Sequence, residues 1–276
     1  VFLKAGADQS DQLMRLLYLM GSYGLYFMFF VFMAIGVSAR SKNRRSAAIA
    51  LFTLWFFMIV VAPRFASDAA TFSVPQPKGS IVDQSLSEAR GAYSNDDAYQ
   101  EQARQKILDE YGVKEISELP INYRGYALQI SEEHADPLYG EVYNDLKETY
   151  EKQENILGLL SFLSPTTSLK QLSAGIAGTD RIHHDVFAWE AELHRRYIIK
   201  KMNGDLMYNG TDTENPYTAD KELWSEVADY DGRLPLFSSL ISYYISKFGV
   251  LAIWTLIAFL FARRSTLKID DFESTR

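Results

Sequence analysis

Residues 16–39 read LLYLMGSYGLYFMFFVFMAIGVSA, residues 40–45 read RSKNRR, and residues 46–63 read SAAIALFTLWFFMIVVAP. The first run has no charged residue between Arg15 and Arg40, and a helix over it would be about 33 Å or more long. That length is sufficient to cross the hydrocarbon core of a bilayer. The second run is shorter but still within spanning range, and Pro63 predicts the end of its helix. The segment 16–63 is therefore predicted to be a transmembrane hairpin.

The turn between the two runs holds four basic residues: Arg40, Lys42, Arg44 and Arg45. Basic loops face the cytoplasm in most membrane proteins, so we expect this turn inside and residues 1–15 outside. Everything after Pro63 is then extracytoplasmic until the next span. The alternative is a basic patch on a soluble helical hairpin, which the two long uncharged runs disfavour.

A third apolar stretch closes the sequence, with a predicted transmembrane helix over 236–262. Arg263 and Arg264 follow it directly. By the same rule they face the cytoplasm, which agrees with the orientation of the hairpin. Residues 263–276 are therefore expected to form a cytoplasmic tail.

Lys247 is the one charged residue within this third span. A lysine at the bilayer centre costs about 2.5–3.5 kcal/mol on insertion scales. We expect Lys247 to lie nearer the outer face and to extend its amine to the interface, with Tyr243 and Tyr244 as interfacial anchors. The alternative is that Lys247 lines a translocation route.

The stretch between the second and third spans, residues 64–235, is predicted to be an acidic extracytoplasmic domain. Residues 64–233 carry a net charge of −13, whereas the rest of the chain carries +6. Nucleic acid is not an expected partner, because phosphates are bound by clustered Lys and Arg. The chain contains no cysteine, which excludes disulfides, thiolate metal sites and a thiol nucleophile.

Apolar periodicity predicts that this domain is mostly helical, with helices over 82–111, 137–160, 165–177 and 180–208. Two stripes at helical spacing are predicted to form a shared core: Tyr139, Tyr143, Leu146, Tyr150 and Leu157 in one helix, and Ile182, Val186, Trp189, Leu193 and Tyr197 in another. Ser164 before Pro165 predicts a helix start, and Gly178 predicts a helix end. The sequence does not decide whether the stretch INYRGYALQI forms a helix or a strand.

The segment GTDRIHHDVFAWEAELH places Asp180, His183, His184 and His194 within one predicted helix. Eleven residues separate His183 from His194, which puts their rings about 16 Å apart along a helix axis and excludes one shared ion. A pair such as Asp180 with His184 would need further ligands from elsewhere. The alternative role is to order a helix start and a contact between helices. We therefore assign no metal ligand in this chain.

Catalytic signatures are missing from the sequence. It contains no GxSxG motif, no GxxxxGK[ST] phosphate loop and no HExxH motif. Arg195 and Arg196 belong to a basic run that is expected to pair with acidic helices, or else to contact a lipid head group or a substrate. The sequence therefore predicts neither an enzyme nor an ATP-binding chain.

Four further segments, beside the hairpin, carry a family resemblance: PQP at 75–77, LPINYRGYALQISEE at 119–133, LYGEVYNDLKETYEKQ at 138–153, and FLSPTTSLKQLSAGIAGTDRIHHDVFAWEAELHRRYIIKKMN at 162–203. In this order they resemble bacterial type 2 ABC exporter permeases with a large extracytoplasmic domain of unknown function. The wider group includes permeases of gliding motility and of nitrous oxide reductase maturation. The chain resembles the C-terminal half of such a permease.

The resemblance implies a permease subunit in the bacterial inner membrane, surrounded by lipid and driven by a separate ATP-binding-cassette ATPase. No cofactor is expected in this chain, since ATP and Mg²⁺ would bind the ATPase. A second permease chain, identical or different, would complete the bundle, and Trp55 would pack against it. Two other hypotheses are a membrane-anchored docking or sensor domain for another envelope protein, and a membrane-tethered metallohydrolase that uses His183, His184 and His194.

Overall fold

The computed structural model describes residues 9–210, 217–232 and 235–273 of the chain. Within these residues all regular structure is helical and no strand occurs, so the predicted all-α fold class is confirmed. The main helices are α1 (Gln9–Arg40), α2 (Arg44–Phe56), α3 (Ala62–Ser73), α4 (Gly79–Gly91), α5 (Asp97–Tyr111), α6 (Tyr123–Leu160), α7 (Pro165–Ala177), α8 (Arg181–Asn209), α9 (Lys221–Glu226) and α10 (Phe237–Glu273).

Three helices are long and apolar enough to cross a membrane: Gln9–Arg40, Arg44–Ser73 and Phe237–Leu267. Large apolar side chains on them are mostly uncovered by the protein, since Phe27, Ile49 and Ile257 are 61%, 68% and 52% exposed. Contact of such apolar faces with lipid has no hydrophobic cost, whereas their exposure to water is unfavourable. The described chain therefore has the length and surface of a membrane protein with three spans.

The helix of the second span does not end at Pro63, and this prediction was wrong. A π-helical turn over Phe57–Val61 follows α2 and leads directly into α3, which carries Pro63 in its first turn. The N–H of Ala62 donates to the carbonyl of Phe57, so the bonding register changes just before the proline. Because the hydrogen-bonding pattern already changes there, the missing N–H of Pro63 removes little of the helical bonding, and the helix continues to Ser73.

The chain forms two compact units, and the first comprises the described residues within 1–75, 150–186 and 234–276. It contains the three long helices, α7, the end of α6 and the start of α8. Its core joins α7 to α10 and consists of Leu169, Leu172, Ile176, Phe237, Tyr244 and Leu251. Residues 150–186 thus belong with the spans, although the sequence assigned them to the acidic domain.

Helices α1 and α10 lie against each other in this unit. A Cβ added to Gly36 would lie 2.5 Å from the Phe261 ring and 3.2 Å from the Cα of Ala262. The hydroxyl of Thr255 donates to the carbonyl of Leu25 at 3.0 Å. Small residues at such contacts allow two membrane helices to approach closely.

The second unit comprises the described residues within 76–149 and 187–233. The predicted helix over 82–111 is in fact two helices, because Asp96 begins α5 by accepting a hydrogen bond from the N–H of Tyr99 at 2.9 Å. Helix α6 begins at Tyr123 and passes through Pro137 without ending. The start predicted at Pro137 was therefore wrong, and most of INYRGYALQI is helical.

The two apolar stripes do not form the predicted core. Tyr143 and Tyr150 are 59% and 42% exposed, and Trp189, Leu193 and Tyr197 are 57%, 46% and 38% exposed. The buried apolar residues of the second unit lie elsewhere: Ala89, Ala103, Ile107, Leu108, Ile121, Ala135 and Leu223. Helical periodicity identifies an apolar face but not what covers it, which is why this prediction failed.

Candidate functional site

The tight corner between α7 and α8 is built from the residues that the sequence marks as helix caps. Ser164 begins α7 by accepting a hydrogen bond from the N–H of Thr166, as predicted. Gly178 ends α7 in the left-handed conformation, with φ 74°, which glycine adopts without strain. The N–H of Thr179 donates to the carbonyl of Ala174 at 2.9 Å. The next residue, Asp180, is thereby placed at the start of α8.

Asp180 joins the start of α8 to α10 through its two carboxylate oxygens. One oxygen accepts from the N–H of His183 at 3.2 Å and lies 2.5 Å from the His183 Nδ1. The other accepts from the hydroxyl of Tyr244. Burial raises the pKa of Asp180, but these hydrogen bonds outweigh it, so its pKa lies below the ordinary value. Asp180 is therefore held as a carboxylate.

His183 is 1% exposed and lies against Asp180. Its Nε2 is buried without a hydrogen-bond partner among the described residues. The Nδ1 contact with a carboxylate fits a proton on Nδ1, which leaves Nε2 as an unpaired acceptor. His183 therefore orders the start of α8. This is the role that the sequence offered as the alternative to metal binding.

A second network of polar side chains includes Glu154, near the end of α6. Glu154 accepts from the hydroxyl of Tyr243 at 2.6 Å and from the Nε of Arg181 at 2.7 Å. Arg181 also lies 2.5 Å from Asp185. Burial lowers the pKa of Arg181, but its carboxylate partners outweigh this and raise it. Glu154 and Arg181 thus neutralise each other while they connect α6, α8 and α10.

Lys247 lies one turn further along α10 and is only 8% exposed. Its Nζ lies 3.5 Å from the ring centroid of Tyr243 and 5.7 Å from that of Tyr244. Stacking on aromatic faces stabilises a cation. Lys247 forms no ion pair with any carboxylate of the described residues. The two tyrosines predicted as anchors thus contact the amine directly.

These groups surround an open groove of about 390 Å³ within the first unit. Its lining comes from α6, α7, the start of α8 with the residue before it, and α10: Tyr150, Gln153, Glu154, Leu157, Lys170, Gln171, Ala174, Asp180, Arg181, Tyr244 and Lys247. The surface combines apolar side chains with a few fixed polar groups, which is typical of a small-molecule site. We call it the Lys247 groove.

Asp11 and Arg15 form a buried ion pair at 2.7 Å, whereas the sequence marks Arg15 only as the charge that precedes the first apolar run. Arg15 donates to the carbonyl of Ile176 at 2.9 Å and to that of Pro235 at 2.7 Å. Asp11 accepts from the N–H of Phe237 at 2.6 Å. The pair therefore attaches α1 to the end of α7 and the start of α10. Its i, i+4 spacing just before an apolar run was the available signal.

In the second unit, Arg195 and Arg196 pair with acidic residues, as the sequence predicts. Arg195 lies 2.7 Å from Glu192, 3.0 Å from Glu132 and 3.4 Å from Asp136. Arg196 lies 2.8 Å from Glu192 and 3.1 Å from Asp136. The hydrogen bond with Glu192 is the main reason that the pKa of Arg195 is raised, and the same contact lowers the pKa of Glu192. This network joins α6 to α8.

The other predicted site residues lie apart from the groove. The side chain of His184 is 76% exposed and lies 3.8 Å from Asp185. His194 lies in the second unit with its ring 5.5 Å from that of Tyr230. Across the described residues no group of three or more His, Asp and Glu side chains could hold a metal ion. Trp55 is 44% exposed and stacks on Phe52 within α2.

The basic residues predicted to set the topology are all exposed: Arg40, Lys42, Arg44, Arg45, Arg263 and Arg264. Arg40 lies over the ring of Phe261, with its guanidinium 5.3 Å from the ring centroid. The end of α1 therefore lies beside α10 just before Arg263. The basic turn and the basic end of α10 occupy the same end of this bundle.

Residues 81–232 match a family described as a domain of unknown function, DUF3526. The match covers more than half of the chain. The chain belongs to the DUF3526 family. No curated protein and no solved structure matches it. The DUF3526 segment contains Asp180, His183 and the Arg195 network, together with most of the groove wall. Lys247, Tyr244 and the three membrane-length helices lie outside the matched segment.

Proposed function

We propose that this DUF3526 chain is a membrane-spanning permease subunit of an ABC exporter in the bacterial inner membrane. A separate ATPase subunit would drive it, and a second permease chain would complete the translocation bundle. The proposal is supported by the sequence resemblance to type 2 exporter permeases and by the three membrane-length helices. The acidic second unit would act outside the membrane as a gate or docking surface.

One observation supports a partner chain. Helix α2 has no buried residue, although it begins one of the three candidate spans. A helix that serves a transport pathway packs against other helices in the membrane. In the proposed complex the second permease chain covers α2, and Trp55 lies on its exposed surface.

The proposed orientation places the basic turn in the cytoplasm and the second unit outside, as the positive-inside rule expects. The absence of cysteine makes this directly testable. Lys42→Cys and Lys147→Cys, both at exposed positions, are labelled in intact cells with a membrane-impermeant maleimide. We expect labelling of Lys147→Cys alone, and of both variants after the cells are lysed. Labelling of Lys42→Cys alone in intact cells would reverse the orientation.

The complex itself is tested by purifying the tagged full chain from its native membrane in mild detergent. We expect an ATPase with a phosphate-loop motif and a second membrane chain to copurify. ATP hydrolysis by that ATPase should change when the membrane subunits are removed. Copurification without any ATPase, or hydrolysis that is indifferent to the membrane chains, would contradict the proposal.

The second candidate function is a membrane-anchored docking domain. One observation favours it: Trp189, Leu193 and Tyr197 share one face of α8 and are 57%, 46% and 38% exposed, and exposed apolar patches are typical of protein interfaces. The same purification distinguishes the two proposals. Recovery of extracytoplasmic proteins alone, lost in a Trp189→Ala variant and kept in a Trp55→Ala variant, would favour docking.

A further inference from the structure

The Lys247 groove contains an unusual imbalance of charge. Its carboxylates are occupied, because Asp180 accepts from His183 and Tyr244, and Glu154 accepts from Tyr243 and Arg181. Lys247 is only 8% exposed and forms no ion pair among the described residues, although Glu154 and Asp180 act on it at longer range. The groove lining thus holds three cations, Lys170, Arg181 and Lys247, and only these two carboxylates. A buried charge of this kind is costly unless a counter-charge joins it. The groove is therefore complementary to an anion.

Gln171, which also belongs to the groove lining, carries an unpaired polar atom. The side-chain oxygen of Gln171 is buried and has no hydrogen-bond partner within the described residues. Such an acceptor is satisfied by a ligand that carries a hydroxyl donor. Leu157 and the ring of Tyr150 give the groove an apolar side. The chemistry that fits is an anionic group next to hydroxyls and attached to an apolar chain.

The position of Lys247 along α10 indicates where such a ligand comes from. Sixteen residues separate it from Arg263, which is about 24 Å along a helix. The hydrocarbon core is about 30 Å thick. With Arg263 at one boundary, the Lys247 backbone therefore lies about 6 Å inside the opposite boundary, and its long side chain can reach the phospholipid phosphates there. A soluble anion would have to leave water to reach this depth.

We propose that the Lys247 groove binds the head group of an anionic phospholipid from the surrounding membrane. The phosphate contacts the amine of Lys247, a head-group hydroxyl donates to Gln171, and an acyl chain lies against Leu157. This inference requires only that α10 spans a membrane. It goes beyond the permease proposal and does not depend on an ATPase partner.

The test uses the purified full chain in detergent and native mass spectrometry with phosphatidylglycerol as the probe. Lys247→Met removes the charge and keeps the length of the side chain, and Lys247→Arg keeps the charge. Lys147→Met changes an exposed lysine of the second unit and serves as the matched control. Phosphatidylcholine tests the need for net negative charge, and inorganic phosphate tests the need for a lipid.

We expect Lys247→Met to weaken phosphatidylglycerol binding at least about ten-fold, as loss of one charge-assisted contact would do. Lys247→Arg and Lys147→Met should bind within about two-fold of the natural chain. Phosphatidylcholine should bind equally to all four proteins. Unchanged phosphatidylglycerol binding by Lys247→Met would overturn the proposal. Competition by inorganic phosphate at equal concentration would also overturn it, because the site would then take a free anion.

Discussion

Gly175→Ala tests the contact that holds the groove together. The ring of Tyr244 lies directly on Gly175, and a Cβ added there would overlap the ring. Tyr244 is 2% exposed and its hydroxyl donates to Asp180, so the ring has little room to move. An alanine at position 175 would therefore displace Tyr244 and separate it from Asp180.

The change in the free energy of unfolding combines three contributions. Replacing glycine by alanine inside a helix normally stabilises it by up to about 1 kcal/mol. Overpacking a well-filled core costs about 1–3 kcal/mol, and a lost hydrogen bond to a charged group costs about 1.5–3 kcal/mol. The two costs exceed the gain, so we expect net destabilisation of about 1.5–6 kcal/mol. For a chain of this size that lowers Tm by roughly 2–4 °C per kcal/mol.

The assay is thermal unfolding of the purified chain in one detergent, followed by tryptophan fluorescence. Gly24→Ala is the matched control, because an added Cβ there meets nothing within 4 Å. It should leave Tm unchanged or raise it. Combining Gly175→Ala with Tyr244→Leu should recover part of the loss, since the smaller side chain leaves space for the new methyl group. A Gly175→Ala chain as stable as Gly24→Ala would refute the reasoning.

Three further predictions use the same unfolding assay. Arg15→Met leaves Asp11 buried without its partner and should cost about 3–5 kcal/mol, and adding Asp11→Asn should restore part of it. Gly36→Leu should force α1 away from α10 and lower Tm, whereas Gly24→Leu should not. Because the pKa of Asp180 is lowered on folding, its stabilisation is present above its ordinary value of 3.8 and is lost as pH falls below it. The Tm of the natural chain should therefore fall between neutral pH and pH about 3, and this fall should be smaller in Asp180→Asn. An equal fall of Tm in the natural chain and the variant would contradict the prediction.

The spans and the local helix caps could be predicted because each depends on neighbouring residues. An uncharged run longer than a bilayer is thick predicts a span wherever the rest of the chain lies. Ser164 and Gly178 mark helix ends through bonds to residues within five positions. Pro63 misled the prediction because the π-helical turn before it changes the bonding register, and no local pattern indicates such a turn.

The groove could be predicted only in part, because its decisive contacts join distant residues. Asp180, His183 and Lys247 stood out as polar residues in suggestive places, yet nothing in their spacing shows that Tyr244 bonds to Asp180, 64 positions away. Arg15 reaches carbonyls 161 and 220 positions away. An arginine before an apolar run can be a charge at the membrane surface or a buried residue that connects helices. Its environment decides between them, and that environment exists only once α7 and α10 have packed against α1.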